Sequence, residues 1–401
     1  MQTLFEERCE RLVDQRLKNI KTGHLIIELP NGIQVHYGDD SPPRHIKVNR
    51  YSFFSRLVTA GNIGMGEAWM ANDWESEDLT GVLELFIGNM GELSGNGVTA
   101  RVAKRFHHMV QHSLNRSTIT SNRCNIHAHY DLGNEFYQLF LDDETMMFSS
   151  AIFLNQEEPL PDAQRRKIRC LIERADIQPE HHLLDIGCGW GGFAIAAARL
   201  TGCRVTGITL SEEHSNFAQQ RIAAEGLEDQ VEILVCDYRE MEGKFDRIVS
   251  IELLEVLGHA HLGTFFARCD RLLKPSGRAV LQVSCIPDEY HDLYHRSPDW
   301  VQKYIYHGGM LPSQSELTGA MERHSTLAVE SQENIGLHYA ETLRRWRRAF
   351  EANRRKLMKL GYDGEFQRKW IYYLCYCEAG FQTRFTNTLH LVLARPGENI
   401  G

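Results

Sequence analysis

A short apolar strand that runs straight into a glycine-rich turn most limits how this chain can fold. His182-Leu-Leu-Asp-Ile-Gly-Cys-Gly-Trp-Gly-Gly192 supplies it, and a helix-like run from Phe193 to Leu200 follows. Glycine tolerates the φ values such a turn needs and lets the backbone come close to a ligand. The spacing is G-x-G-x-G, not the phosphate-cradling GxxxxGK[ST]. Four more short apolar runs follow at parallel-sheet spacing: Arg204–Ile208, Val231–Val235, Arg247–Ile251 and Ala279–Ser284. Helical stretches such as Ser211–Ala224 and His261–Leu273 separate them. This alternation predicts an α/β domain, with a doubly wound, mostly parallel sheet covered on both faces. Leu389–Ala394 reads as a late strand at or near a sheet edge. Residues 286–340, rich in His, Tyr, Pro and Gly, are expected to cover the carboxyl edge as a lid or substrate wall.

Ligands of such sheets bind at the carboxyl ends of the strands, so those ends outline a site. The first gives Asp185, Gly187, Gly189 and Gly191. The second gives Gly207-Ile-Thr-Leu-Ser-Glu-Glu-His214, where Thr209, Ser211 and the following carboxylates could hold ribose hydroxyls. The third gives Cys236-Asp237-Tyr238-Arg239, where Asp237 could accept from an adenine amine and Tyr238 could stack. The fourth gives Ser250-Ile-Glu-Leu-Leu-Glu255, although Glu252 and Glu255 are also what a helix start favours. The fifth ends near Gln282 and Ser284. From the residues alone, the glycine turn suits a methyl donor, suits NAD, or is bare structure.

The chain has 401 residues, enough for about two to three domains. Hydrophobic residues make up 42%, enough for real cores, and the net charge of −9 argues against a nucleic-acid partner. No apolar run is long enough to span a bilayer. The charged opening MQTLFEERCERL lacks the apolar core of a signal peptide. The ten cysteines show no metal spacing, so a reduced cytoplasmic protein without a metal is expected. His107 with His108 and His127 with His129 could suggest a metal, but no Cys, Asp or Glu spacing supports one.

Residues 1–90 are expected to form a small α/β domain. Leu25–Leu29 and Ile33–Tyr37 flank Pro30-Asn31-Gly32 as a hairpin. Helices are expected at Tyr51–Ala60 and near Leu79–Ile87, with Gly64–Met70 between them. Residues 91–125 read as a polar linker with a basic helix inside, and 126–401 as the main domain. Residues 344–360 carry eight Arg or Lys and one Glu. With Trp346, Phe350, Leu357 and Met358 they are either a lipid-docking helix or a solvated one.

The glycine turn resembles motif I of S-adenosylmethionine (SAM) methyltransferases. Further motifs occur in order: His129–Asn134, Met147–Phe153, Asp185–Gly192, Gly207–Ser211, Asp237–Arg239, Phe245–Ser250, Gly308–Ser313 and Tyr339–Leu343. Together they resemble the cyclopropane-fatty-acyl-phospholipid synthase family, with the mycolic acid cyclopropane synthases and related fatty-acyl methyltransferases, over roughly residues 50–396. The resemblance implies a class I SAM methyltransferase fold behind a small lipid-contacting domain. It implies that Phe148 and Ser149 contact SAM, and that Leu183–Gly191, Asp185 included, holds its methionine part. Thr209, Leu210, Ser211 and His214 would hold the ribose, with His214 where many members have Gln. Tyr238 and Arg239 would flank the adenine. Cys377 matches a family cysteine marked as a possible nucleophile, although a small buried residue on an apolar helix explains it as well.

The implied reaction is methyl transfer to the cis double bond of a phospholipid acyl chain, which leaves a carbocation. Such a site must be dry, and aromatic faces should stabilise the cation; Tyr130, Phe148, Tyr339 and Phe381 are candidates. A base must then remove a proton from the new methyl. In the family that base resembles a bound bicarbonate held by Cys, Glu, His and Tyr. Glu255 and Tyr339 match, Ser150 replaces the Cys, Gln282 the His, and Val256 a His after the Glu. Glu255 is thus expected to be the only charged group at the base site. A cyclopropane product is expected, with a methyl- or methylene-branched chain as the alternative. A soluble small-molecule acceptor, or a lipid-binding relative without catalysis, are further readings. The resemblance also implies unsaturated phospholipids as partners, a homodimer, and a cytoplasmic enzyme peripheral to the inner face of the membrane.

Overall fold

Two sheets organise the chain, and both grow from the apolar runs noted above. A computed structural model describes residues 2–93, 132–296 and 299–397. Tyr130, the four histidines His107, His108, His127 and His129, and the basic helix of the linker fall outside them.

The N-terminal unit opens with α1 (Leu4–Leu17), fixed by a capping box: Glu6 N–H donates to Thr3 Oγ1 (3.2 Å) and Thr3 N–H donates back to Glu6 (2.8 Å). Strands β1 (His24–Glu28) and β2 (Gln34–Gly38) pair antiparallel across Pro30-Asn31-Gly32, as the turn residues predict. Strand β3 (Pro43–Val48) lies parallel on the other side of β1, and β4 (Trp74–Glu75) completes the order β2-β1-β3-β4. The two segments read as Tyr51–Ala60 and Gly64–Met70 are one helix, α2 (Ser52–Met70), bent at Gly61 with φ 58°. Helices α3 (Leu79–Gly88) and α4 (Met90–Leu93) follow.

From residue 132 onward come α5 (Asn134–Tyr137) and α6 (Leu160–Ala175). Then β5 (His182–Ile186), α7 (Gly192–Thr201), β6 (Arg204–Thr209), α8 (Glu212–Glu225), β7 (Val231–Val235) and β8 (Phe245–Ile251) alternate as expected. Helix α9 (Leu254–Leu257), a single 3₁₀ turn (His259–His261) and α10 (Leu262–Leu272) lead into β9 (Leu273–Cys285). Helices α11 (Asp288–Arg296), α12 (Trp300–Tyr304) and α13 (Gln314–His324) precede β10 (Ala328–Asn334). Helices α14 (Gly336–Ala352), α15 (Arg354–Lys359) and α16 (Gly364–Gln382) and the strand β11 (Asn387–Ala394) end the fold. The seven strands run β10-β11-β9-β8-β5-β6-β7, parallel from β9 to β7 and antiparallel at β11 and β10. This is the doubly wound α/β sheet with a late antiparallel strand. The late strand sits one place in from the edge. The edge is β10, whose sequence AVESQEN is too polar to announce a strand.

The stretch expected to be a cover divides. Helices α11 and α12 line a cavity, whereas α13 packs on α10 and β10 belongs to the sheet. The N-terminal unit shares one core with α14–α16: Phe53, Trp74, Trp346, Phe350 and Trp370 lie in a single buried cluster. Trp69 Nε1 donates to the Arg368 carbonyl (3.0 Å), and the Thr80 hydroxyl to Glu378 (3.1 Å), across the same seam. The lipid-docking reading of 344–360 is corrected here. Trp346, Phe350 and Leu357 are buried core. Arg344 and Arg347 pair with Glu378 (3.0 and 3.2 Å), and Arg345 pairs with Glu341 (2.7 Å). Only Met358 of the four apolar residues is exposed. Among the described residues no helix is long and apolar enough to cross a membrane.

Candidate active site

The carboxyl ends of β5 to β8 form one cavity, as the sheet topology requires. The glycine turn is its floor. Gly187 and Cys188 N–H groups donate to the Ile208 carbonyl on β6 (2.9 and 3.0 Å), which fixes the turn on the neighbouring strand. At Gly192 a Cβ would sit 2.0 Å from the Thr145 carbonyl oxygen, so only glycine lets the segment carrying Met147, Phe148 and Ser149 close over the turn. Gly187 and Gly189 line the cavity; Gly191 does not. Gly191 is corrected to a packing role, since its φ is 75° and a Cβ there would meet Ala218 at 2.9 Å.

Asp185 lies buried at the end of β5, with one carboxylate oxygen, Oδ2, lacking any partner in the protein. Burial pushes its pKa up to about 7, against the pull of Lys167. Lys167, on α6, is fully buried, donates to Ser149 Oγ (2.8 Å) and is pulled down to about 8 by the same burial. Thr209, Leu210, Ser211 and His214 line the next wall. Ser211 caps α8 by accepting from His214 N–H (3.2 Å). Burial lowers the His214 imidazole to about 4, and its neutral ring lies 4.2 Å from that of Trp190. Asp237 accepts from Arg239 Nε and Nη2 (2.8 and 2.5 Å), so the arginine already occupies the carboxylate expected to receive an amine. Tyr238 closes the far side, edge-on to Phe265.

A second, largely apolar cavity of about 560 Å³ opens beside the first. That is within the usual range for ligand pockets, roughly 300–1,000 Å³. The N-terminal unit supplies one side, including Val13, Arg16 and Leu17 of α1, and α14 and α16 supply another. Tyr339 stacks on Phe381 in its wall (centroids 4.5 Å apart). Phe148, Glu252 and Val256 line both cavities and mark where they meet.

Glu252 is the centre of that junction. Its backbone adopts φ 51°, a left-handed conformation rare outside glycine, Asn and Asp. Its Oε1 accepts from the Ser150 N–H (3.0 Å) and from Gln282 Nε2 (2.6 Å), and its Oε2 accepts from the Tyr339 hydroxyl (2.7 Å). Its own N–H donates to the Gln282 carbonyl (2.7 Å). Gln282 is oriented in turn by the buried His390, whose Nε2 lies 2.9 Å from Gln282 Oε1. Burial holds His390 far below the ordinary range, at about 3, so it stays neutral and donates. Burial also raises the Glu252 carboxyl, while the three donors oppose the rise.

Three expectations change. Ser150 serves the carboxylate through its amide, because its hydroxyl is turned to the Ala151 carbonyl (3.0 Å). Glu255 is not the only charged group: it lines the second cavity, accepts from the Ser284 N–H and leaves Oε2 without a partner. Burial and the neighbouring Glu252 push Glu255 up to about 8, while Glu252, also raised by burial, is the carboxylate that receives three donors. Cys377 lines the second cavity, but burial raises its thiol well above the ordinary range, which removes the thiolate a nucleophile needs. Sequence reasoning placed Glu252 at the end of the fourth strand but gave it no role beyond a helix-start carboxylate, and it missed Lys167 and His390. One buried lysine on the amphipathic α6 has no distinguishing pattern.

Residues 117–391 match the model of the mycolic acid cyclopropane synthetase family. The tuberculostearic acid methyltransferase UfaA1 of Mycobacterium tuberculosis is 38% identical over 352 residues, 85% of this chain and 81% of that protein. The cyclopropane-fatty-acyl-phospholipid synthase of Escherichia coli K12 is 34% identical over 90% of each chain. The solved mycolic acid cyclopropane synthase CmaA1, in complex with S-adenosylhomocysteine and CTAB, superposes with a TM-score of 0.63 at 28% identity. It covers 68% of this chain and 97% of its own.

Proposed function

The chain belongs to the mycolic acid cyclopropane synthetase family, as a SAM-dependent methyltransferase acting on lipid acyl chains, and from that premise we propose that it methylates the cis double bond of an unsaturated phospholipid acyl chain and closes a cyclopropane ring. The observation that carries this reading is Glu252, a carboxylate of the protein itself fixed at the junction of the two cavities.

The residues fit SAM. The glycine floor lets a ligand approach closely, and the unpartnered Asp185 oxygen suits the methionine ammonium. Bound there, SAM supplies an electrophilic sulfonium methyl. The second cavity holds the acyl chain and excludes water. Phe148, Tyr339 and Phe381 face the positive charge that C–C bond formation leaves on the chain. Glu252 then takes a proton from the new methyl, and the electron pair of that C–H bond closes the ring. Tyr339 and Gln282 hold the carboxylate in place, and neither carries the proton away.

Helix α1 supports a lipid surface as the source of substrate. Leu4, Phe5 and Leu12 are 79%, 58% and 46% exposed, while Val13 and Leu17 of the same helix face the cavity. Arg16 is exposed at its margin, a cation suited to a phosphate headgroup. Membrane contact thus moves from 344–360 to α1.

A second reading, a methylene-branched product, is favoured by the likeness to a protein named as a methyltransferase rather than a cyclopropane synthase. It needs the same base: a hydride shift along the chain precedes loss of the methyl proton to Glu252. A base already beside the transferred methyl favours the ring. The test is mass spectrometry and NMR of the acyl chains after incubation of the protein with SAM and unsaturated phospholipid vesicles. A gain of one CH2 with cyclopropane protons is expected. Vinylidene protons would establish the second reading, and no mass change would overturn both.

A further inference from the structure

Three imidazoles and a carboxylate meet outside both cavities. His259 comes from the 3₁₀ turn after α9, His291 and His295 from successive turns of α11, and Glu316 from the first turn of α13. One ligand atom from each lies within 4.8 Å of all the others. His259 Nδ1 bonds to Glu316 Oε1, and His291 Nε2 lies 3.3 Å and His295 Nε2 4.0 Å from Glu316 Oε2. The His295 ring is 3.7 Å from that of His259 and 4.0 Å from that of His291. Buried Nε2 atoms of both His259 and His295 have no hydrogen-bond partner in the protein.

Hydrogen bonding alone accounts poorly for this packing. One carboxylate is shared by three rings, and ring nitrogens are left unsatisfied where burial makes that costly. We propose that His259, His291, His295 and Glu316 form a binding site for one divalent transition metal of the zinc class. Three neutral imidazoles with one carboxylate suit zinc, and by the same softness nickel or copper; magnesium and calcium prefer all-oxygen shells. Four protein ligands make a closed, structural site rather than a catalytic one. Zinc–ligand bonds of about 2.0–2.1 Å put tetrahedral ligand atoms roughly 3.3 Å apart, so side-chain rotations of about an ångström close the present spacing. His291 Nδ1 lies 3.7 Å from the Asp292 carboxylate, on the side away from Glu316 Oε2, which its Nε2 faces. All four side chains are between 18% and 29% exposed, which leaves the ion a way in.

The site would add the 3₁₀ turn to two segments, α11 and α13, that the Ser315 N–H and hydroxyl already tie by donating to Asp288 (3.1 and 2.7 Å). The 3₁₀ turn follows the helix carrying Glu255. Helix α11 carries Tyr290 and Tyr294, which line the acyl cavity. A metal here pins that wall to α13 and to the 3₁₀ turn after α9. Spacing along the chain could not reveal it, because His259 and Glu316 are far apart in sequence.

The experiment uses tag-free, full-length protein stripped with a chelator and titrated with zinc. Elemental analysis after gel filtration should find one zinc per chain, and X-ray absorption at the zinc edge should show four N/O ligands with imidazole scattering. Cobalt should give the visible bands of a tetrahedral site. His295→Ala and Glu316→Gln should each weaken zinc binding by more than about a hundredfold, beyond the 10–100-fold typical of losing an outer partner. A second close imidazole pair among the described residues, His24 and His36, serves as control, and His36→Ala should change nothing. Substoichiometric zinc in the wild-type protein, or binding lost in His36→Ala but kept in His295→Ala, overturns the proposal. The absorption spectrum needs no variant, so misfolding of one cannot hide a negative result.

Discussion

Glu252→Gln separates the two acidic residues at the junction. The substitution keeps shape. Glutamine's carbonyl can still accept from Ser150 N–H and Gln282 Nε2, which both address Oε1. Its amide can donate toward Tyr339, whose hydroxyl rotates to accept. Only the Tyr339 hydroxyl proton loses its acceptor, one hydrogen bond, so the fold should persist and the loss should report basicity. A positioned general base contributes about 10²–10⁴-fold, and kcat should fall by that factor. Glu255→Gln mimics the protonated acid already present near neutrality, so kcat should fall by less than about tenfold, well under a general-base loss. The assay is release of S-adenosylhomocysteine with unsaturated vesicles at saturating SAM, alongside thermal melts of both variants. If Glu252→Gln stays within tenfold while Glu255→Gln is inactive, the base is Glu255 and the geometric argument fails.

Asp185 must be ionised to accept an ammonium, and burial raises its pKa to about 7 in the free protein; SAM should therefore bind about tenfold more weakly at pH 6 than at pH 8, measured by calorimetry, with Asp185→Asn flattening the dependence. His390→Leu leaves the Gln282 amide free to flip away from Glu252, so kcat should drop while the Kd for SAM is unchanged; equal loss of both would mean a general packing defect. Phe136 touches Tyr137, Phe140, Phe350, Tyr362 and Trp370 at ring-centroid distances of 4.7–6.1 Å, and Phe136→Ala should cost about 3–5 kcal/mol by denaturant melts.

The sheet was legible because buried parallel strands read as continuous apolar runs: His182–Ile186 and Phe245–Ile251 needed no tertiary knowledge. Strand β10 was not, because it is an exposed edge strand whose polar residues carry no period. The arginine-rich stretch misled for a related reason. Charges counted along a helix say nothing of Glu378, which lies elsewhere in sequence and neutralises two of them. The cofactor wall was readable from strand ends, since each end delivers its next residues to one edge. The base was not. Glu252 and Glu255 stand one helical turn apart, and only the left-handed turn at Glu252 decides which carboxylate meets Ser150, Gln282 and Tyr339.

That turn also bears on whether the reaction needs an anion from solution. A non-glycine residue held at φ 51° costs on the order of 1–3 kcal/mol. The Glu252 N–H to Gln282 carbonyl bond and the three bonds to the carboxylate offset it. The donors from Ser150, Gln282 and Tyr339 are those a bicarbonate would have required. With Glu252 on all three, a bicarbonate would have to displace a buried carboxylate and add a second negative charge beside it. Turnover in carbonate-free buffer under argon should therefore match turnover with added bicarbonate. Glu252→Gln should not be rescued by bicarbonate, because its amide keeps the same donors engaged, whereas Glu252→Gly opens the space and frees them, and there added bicarbonate should restore activity in a saturable way. A wild-type rate that collapses without bicarbonate and returns on its addition would place the base in solution and reduce Glu252 to a structural carboxylate.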